Sequence, residues 1–245
     1  MLVSTPTMPT SSLTTEQVRA LNQRFERAQP TETIRWAVET FRPAVALTSS
    51  FGAKSAGIIH MALQVDPAID IRFVDTGLLF PETLQFKDEL QRRFKLRITT
   101  FRSKLDVEQF KREHAELPIG HPDFCCSPHK VEATNRALKD LRCWITGISR
   151  TDAATRAQTP IVEVLEGGLV KVAPLALWTA KDLHAYMQQH QLPYHPLWHQ
   201  GYTSIGCWPC TKRPINPNNP RSGRWDGQKT ECGIHDIGKP PRQNP

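Results

Sequence analysis

No stretch of this chain approaches the roughly 20 consecutive apolar residues that a membrane-spanning helix needs. The start, "MLVSTPTMPTSSLTTEQ", has no positive segment followed by an apolar core, so it does not read as a secretory signal. There is no Walker A loop, no G-x-G-x-x-G fingerprint and no internal repeat. The 31 Lys+Arg outnumber the 24 Asp+Glu, but they form no basic block interleaved with aromatic residues. A nucleic-acid polymer is therefore disfavoured as a partner, and the formal net charge of +7 points to a small anion or simply to solubility. A cytoplasmic location is expected. Thiols stay reduced there, so clustered cysteines read as metal ligands or catalysts before disulfides.

What is present suits one sizeable core: 245 residues, 39% of them hydrophobic. Residues 1–13 read as a polar, disordered leader. Residues 14–210 read as one α/β domain, and 211–245, dominated by Pro, Gly and Asn, as a mobile C-terminal arm with little chance of a core of its own. Val18, Leu21 and Phe25 recur at helical spacing behind Thr14 or Thr15 as N-cap, and 31–41 is a second helix. Short apolar runs at 44–50, 69–77, 96–101 and 143–148 read as buried strands. Helical segments lie between them, one with Pro81 in its first turn. Strands alternating with helices predict a doubly wound, mostly parallel sheet. Gly167-Gly168 between two alternating runs predicts a hairpin, and 179–190 a further helix.

Two loops fall at the carboxyl ends of predicted strands, where open α/β sheets bind ligands. In "TSSFGAKSAG" the small residues Ser49, Ser50 and Gly52 let backbone amides approach an anion, and the next helix adds its dipole. In "VDTGLLFPET", Asp75, Thr76 and Gly77 are placed to line the same crevice. Either stretch also reads as an ordinary capped turn.

The cysteines are more specific. Cys125 and Cys126 in "FCCSPHK", with Cys207 and Cys210 in "SIGCWPC", supply four thiols that suit zinc or an iron–sulfur cluster. Adjacent side chains usually point apart, so one centre holding both Cys125 and Cys126 implies a strained local backbone. It also favours a cluster, whose ligand sites are spread over several irons. Cys143, inside an apolar strand, reads as a buried unligated thiol. Cys232 has no partner at metal-motif spacing. Lys229 precedes it, and basic neighbours raise the thiolate fraction of a thiol that is otherwise only about 3% ionised at pH 7.

In order along the chain, "SSFGAKS", "DTGLLFPET", "CCSPHK", "WITGISRTDAATRA", "LPYHPLWHQGYTSIGCWPCT", "RSGRW" and "ECGIH" resemble the assimilatory adenylyl-sulfate and phosphoadenylyl-sulfate reductases. The resemblance runs from about residue 44 to 236. It implies an adenine nucleotide α-hydrolase-like fold and a catalytic Cys232. It also implies one 4Fe–4S cluster per chain on Cys125, Cys126, Cys207 and Cys210, because members with these paired cysteines carry one. Those members usually reduce adenylyl sulfate (APS); members without the pairs usually prefer the 3′-phosphorylated form (PAPS). Phe80 and the "AKS" after Gly52 look more like the PAPS group. The expected reaction is reduction of APS to sulfite and AMP through an S-sulfocysteine on Cys232, with thioredoxin as reductant.

By motif match, Lys130, Arg150, Arg221, Arg224 and His235 are the expected contacts to sulfate and phosphate oxygens. PAPS reduction is the alternative. A PP-loop tRNA-thiolating enzyme would show S-G-G-x-D-S after the first strand, and a nucleic-acid-binding module would hold zinc. The sequence leaves open whether the chain forms a homo-oligomer.

Overall fold

The structure, a computed structural model, describes residues 13–114, 122–216, 219–227, 229, 231–234 and 237. Two helices open the chain, α1 (Thr15–Phe25) and α2 (Pro30–Phe41). Thr14 caps α1 as expected: its Oγ1 accepts from the Gln17 N–H at 3.2 Å while the Gln17 side chain accepts from the Thr14 N–H at 2.8 Å. Then come β1 (Val45–Thr48), α3 (Ser55–Val65), β2 (Asp70–Asp75), α4 (Pro81–Phe94), β3 (Ile98–Arg102) and α5 (Val107–His114). After 115–121 follow α6 (Pro122–Cys126), a π turn over Ser127–Val131, and α7 (Glu132–Leu138). The strands β4 (Cys143–Thr146), β5 (Val162–Val164) and β6 (Val170–Val172) precede the last helix, α8 (Ala180–Gln189).

The six strands lie in the order β3-β2-β1-β4-β6-β5. Every pairing is parallel except β5 with β6, which is the hairpin expected at Gly167-Gly168. Both glycines take positive φ, +82° and +83°, as a tight reversal requires. The chain runs outward from β1 through β2 to β3, then returns to β4 on the other side of β1. The strand order therefore reverses between β1 and β4, which opens a crevice beyond their carboxyl ends.

Alternation along the central strands feeds two cores. Leu47, Cys143 and Ile145 join the large core that α1, α2, α3, α4 and α8 cover, with Phe25, Ile34, Ile59, Phe86 and Met187 buried in it. Ala46 and Trp144 point to the opposite face and pack with Leu138 and Leu165. Ile234 and Ile237 from the C-terminal arm pack against this second core. The arm thus needs no core of its own, because its apolar residues use the exposed face of the sheet. Among the described residues, no helix is long and apolar enough to cross a membrane.

Leu47 is 0% exposed at the middle of the strand that divides the sheet. Truncating it removes buried methyl groups and leaves a cavity, so Leu47→Ala should cost about 2–5 kcal/mol of folding stability. Denaturant unfolding should show a lowered midpoint with an unchanged slope.

Candidate active site

The crevice beyond β1, β2 and β4 is a cavity of about 360 Å³. Thr48, Ser49, Ser50 and Gly52 line it from the β1 side, Thr76 from β2, and Thr146, Gly147 and Ile148 from β4. The loop after β1 is shaped by Phe51. Its ring is fully buried edge-on to Phe73, with centroids 5.3 Å apart. Its backbone sits in the left-handed region at φ +49°, and its N–H donates to Ser49 Oγ at 3.1 Å. That anchor holds the turn against the start of α3, whose amino end adds positive potential at the cavity.

The loop after β2 distributes its residues differently from the sequence expectation. Of Asp75, Thr76 and Gly77, only Thr76 lines the cavity, joined there by Leu79 of the same loop. Asp75 is not on its wall: the carboxylate accepts from the Gly77 N–H at 3.0 Å and pairs with Arg102 at 3.5 Å. Gly77 turns the chain at φ +71°. Both residues shape the turn that presents Thr76.

A second, smaller pocket adjoins the first. Cys125, Cys126, Cys207 and Cys210 line it together with Thr76, Leu78, His129, Lys130, Pro209 and Trp225. Thus four cysteines from two distant segments face one space. The vicinal pair needs no strained backbone. Cys126 sits at φ −64°, ψ −34°, ordinary helical values. In a helix adjacent side chains diverge by about 100° rather than by a half-turn. The adjustment is made one step later by the π turn, where the Glu132 N–H reaches back to the Ser127 carbonyl. The C-x-x-C loop is held by the loop after β2: Cys207 bridges Leu79, the Trp208 N–H donates to the Leu78 carbonyl at 2.8 Å, and Thr76 Oγ1 lies 3.3 Å from Cys207 Sγ.

Three observations describe what this pocket suits. Burial and the neighbouring thiols push the Cys125 thiol up to about 12, and Cys126 and Cys210 also upward, the signature of sulfurs crowded in a dry space. His129 is 1% exposed, and among the described residues neither of its ring nitrogens has a hydrogen-bond partner. Among the described residues, no three His, Cys, Asp or Glu side chains converge so as to hold a single metal ion. Cys125, Cys126, Cys207 and Cys210, four thiols lining one pocket, are the side chains that could hold a metal centre there. Cys143 lies apart, 0% exposed on β4, its thiol pushed up by burial alone.

Cys232 is half-buried on the wall of the larger cavity. The arm that carries it folds back along the domain: Thr211 bridges Arg224, and the Lys212 N–H donates to the Gly223 carbonyl at 2.7 Å. Arg224 is 5% exposed, donates from Nε to the Cys210 carbonyl at 3.0 Å, and lies over the Trp225 ring at 4.5 Å. The guanidinium crosses over Gly206, where a Cβ would overlap it and force it to shift. Gly233, at φ +81°, turns the chain after Cys232 so that the Ile234 N–H points back at its sulfur. Burial opposes ionisation of Cys232, but Lys130, the Ile234 N–H and Arg224 outweigh it and hold the thiol below its ordinary range. Burial would likewise lower Lys130, yet the surrounding cysteine sulfurs, Cys207 and Cys232 first, raise it.

Lys130, Thr76 and Trp225 line both cavities and form the wall between them. Arg221 and Arg224 are on the larger cavity, as the motifs imply. Arg150 is not on its wall. Its Nε donates to the Thr159 carbonyl at 2.9 Å, so it braces the loop after β4. The arginine of that segment that does line the cavity is Arg156, which is 8% exposed. It binds Glu231 with two parallel bonds of 2.7 and 2.8 Å. Sequence reading missed Arg156, Glu231 and Lys54, which pairs with Asp152 on the same wall. The one available signal was that Arg156 and Glu231 fall within the motifs that carry Arg150 and Cys232. His235 lies outside the described residues.

A doubly wound sheet with a crevice at its switch point, lined by basic side chains and a thiol, is the arrangement of an α/β protein that suits a small anionic ligand. Residues 44–213 match the phosphoadenosine phosphosulfate reductase domain. An adenosine 5′-phosphosulfate reductase of Streptomyces coelicolor is 38% identical over 91% of this chain and 96% of its own length. A phosphoadenosine 5′-phosphosulfate reductase of Xanthomonas oryzae is 39% identical over 94% of this chain and 98% of its own. The crystal structure of a phosphoadenylyl-sulfate reductase from Candida auris, in complex with phosphate, superposes with a TM-score of 0.69 at 30% identity, covering 80% of this chain and 97% of that one. An FMN adenylyltransferase from Candida glabrata, 14% identical with a TM-score of 0.55 over 83% of this chain and 70% of that one, shares the fold. The chain belongs to the phosphoadenosine phosphosulfate reductase family and is a sulfur-group oxidoreductase of sulfate assimilation.

The lowered Cys232 thiol gives a pH-dependent expectation. Its thiolate, and hence its reaction with iodoacetamide, should grow in as pH rises through a value below the ordinary cysteine range. Lys130→Met removes the leading stabilising charge, so the midpoint should move to higher pH. Peptide-resolved alkylation between pH 5 and 10 measures both curves, and coincident midpoints would contradict the assigned charge contact.

Proposed function

We propose that this chain reduces adenylyl sulfate to sulfite and AMP, with Cys232 as the nucleophile and a dithiol protein of the thioredoxin type as reductant. The observation that carries the reading is the position of Cys232, on the wall of the switch-point cavity and within the fields of Lys130 and Arg224. In the first half-reaction the Cys232 thiolate attacks the sulfuryl sulfur. An S–S bond forms, the S–O bond to the phosphate breaks, and AMP leaves with the electron pair. Lys130, Arg221 and Arg224 offset the charge on the sulfate and the departing phosphate. Ser49, Ser50 and Gly52, in the loop between β1 and α3, suit the nucleotide phosphate; His235 is proposed from its motif alone.

In the second half-reaction a thiolate of the reductant attacks Cys232 Sγ and sulfite leaves. The second thiol of the reductant then resolves the mixed disulfide. The dithiol supplies two electrons and becomes a disulfide, and Cys232 returns to a thiol. For this step the boundary at 210–211 is read as the root of an arm that lifts away from the domain.

Cys125, Cys126, Cys207 and Cys210 would hold a 4Fe–4S cluster. When bound, the cluster would supply a fixed charge next to the wall formed by Thr76, Lys130 and Trp225. Among the described residues, Lys130 is the charged side chain that lines both spaces, so its placement ties the sulfur pocket to the reacting sulfate.

A second reading, PAPS as the preferred nucleotide, is favoured by Phe80 and by the Xanthomonas oryzae relative, whose identity equals that of the APS-named relatives within a few per cent. The ratio of kcat/KM for APS to that for PAPS decides between them: APS should be the better substrate in protein with its iron intact, and a PAPS preference replaces the first reading with the second. Anaerobically purified protein should contain roughly four irons per chain and absorb broadly near 400 nm, as a four-thiolate cluster does. Cys207→Ser should bleach it and Cys143→Ser should not; stoichiometric zinc without iron would overturn the cluster. Cys232→Ser should keep iron and nucleotide binding and lose sulfite release. Wild type incubated with APS and no reductant should gain one SO₃ group, about 80 Da, on the Cys232 peptide. An adduct on Cys210 or Cys143 would reassign the nucleophile.

A further inference from the structure

The residue next to Cys232 makes the most elaborate polar contact on the arm, and the chemistry above gives it no role. The Glu231 carboxylate receives Arg156 Nε at 2.7 Å on one oxygen and Arg156 Nη2 at 2.8 Å on the other. Thr155 Oγ1 adds a third bond at 2.9 Å, and Arg221 Nη2 lies at 3.7 Å. The two side chains are only 6% and 10% exposed. A two-pronged guanidinium–carboxylate contact fixes orientation as well as distance, and burial removes the water that would otherwise loosen it.

The socket is itself braced from behind. The free edge of Arg156 donates from Nη1 to Asp152 Oδ2 at 3.2 Å. Asp152 is in turn held by the Ser149 N–H at 3.0 Å and by Lys54, at the foot of α3. Arg156 therefore belongs to the rigid domain, and Glu231 is the part that docks. Cys232 follows Glu231 directly, so the angle at which its sulfur enters the cavity is set by this contact on one side and by the turn at Gly233 on the other.

The two half-reactions place opposite demands on this contact. Attack on a nucleotide sulfate requires Cys232 enclosed against the cavity wall. Attack by a protein dithiol requires Cys232 outside it, because a cavity of about 360 Å³ admits a nucleotide and not a folded protein. We infer that Glu231 is a positioning residue: its contact with Arg156 and Thr155 is a reversible latch that seats Cys232 for sulfonation and releases before the reductant arrives. The latch rests on the assignment of Cys232 as nucleophile.

The test separates the half-reactions. In Glu231→Gln, formation of the sulfo-enzyme from APS without reductant should slow at least tenfold. Sulfite release from preformed sulfo-enzyme by thioredoxin should be unchanged or faster. Alkylation of Cys232 by iodoacetamide should rise at least fivefold in its high-pH plateau. The plateau is the quantity to read because Glu231 also raises the Cys232 thiol, so its removal shifts the midpoint as well.

Arg156→Gln should reproduce this pattern, and the double variant should be no worse than either single one, as two halves of one contact require. Thr155→Val, which removes a single hydrogen bond, should show the same signs at smaller amplitude and serves if the charge variants do not fold. Equal slowing of both half-reactions, or an unchanged alkylation plateau, would overturn the latch. If wild type forms no adduct on Cys232, the nucleophile assignment fails instead, while the alkylation comparison still reports whether Glu231 holds the arm down.

Discussion

Buried positive charge beside sulfur is the constraint around which the site is organised. Lys130 lies on the wall between the sulfur pocket and the larger cavity, and Arg224 is packed almost out of solvent beneath Trp225. An isolated cation would be costly there; it persists because anionic or strongly dipolar partners surround it. Cys207, Cys232 and Cys126 are those partners for Lys130, and for Arg224 the Cys210 carbonyl and the same set of sulfurs. The dependence is mutual. Burial by itself pushes the Cys232 thiol upward; Lys130, the Ile234 N–H and Arg224 bring it below its ordinary range.

That electrostatic arrangement dictates the backbone around it. The π turn carries Lys130 and follows directly on the helix turn that carries Cys125 and Cys126, so one short segment presents a pair of thiols and a cation to the same pocket. Gly206 is small because the Arg224 side chain crosses over it. Thr76 contacts Cys207 through its hydroxyl while also lining the larger cavity. Thr76 and Lys130 each line both spaces, so removing either side chain would alter two spaces at once.

The arm is stabilised by the same logic at lower charge density. Ile234 and Ile237 cover the Trp144 face of the sheet, Lys229 pairs with Asp123 on the cysteine-bearing helix, and Glu231 docks on Arg156. These contacts are few and lie near the end of the chain. Among the described residues past Trp225, the segment that carries Cys232 is held by these polar contacts and by Ile234 and Ile237 rather than by the main core, and such a segment can be both well placed and removable.

The sequence by itself determined the elements and the chemical inventory. Alternating strands and helices, the Gly167-Gly168 reversal and the Thr14 cap are local patterns whose physics is contained within a few residues, and each reappears in the structure at nearly the same positions. The cysteine pairs were legible because C-x-x-C spacing is a local statement about two sulfurs. Tertiary structure alone decided which polar residues share a space. Arg150 and Arg156 are six positions apart in one motif and equally basic; only the course of the loop after β4 sends one to the Thr159 carbonyl and the other to the cavity. Asp75 and Thr76 are neighbours, yet the turn keeps the first for its own backbone and gives the second to the site. The strain expected at Cys125-Cys126 is absent: Cys126 has ordinary helical dihedrals, and a π turn that no propensity encodes follows the pair. Spacing predicts which side chains could face the same way along one element, but a pairing such as Glu231 with Arg156 depends on how separate elements pack, and that is fixed only when the core closes.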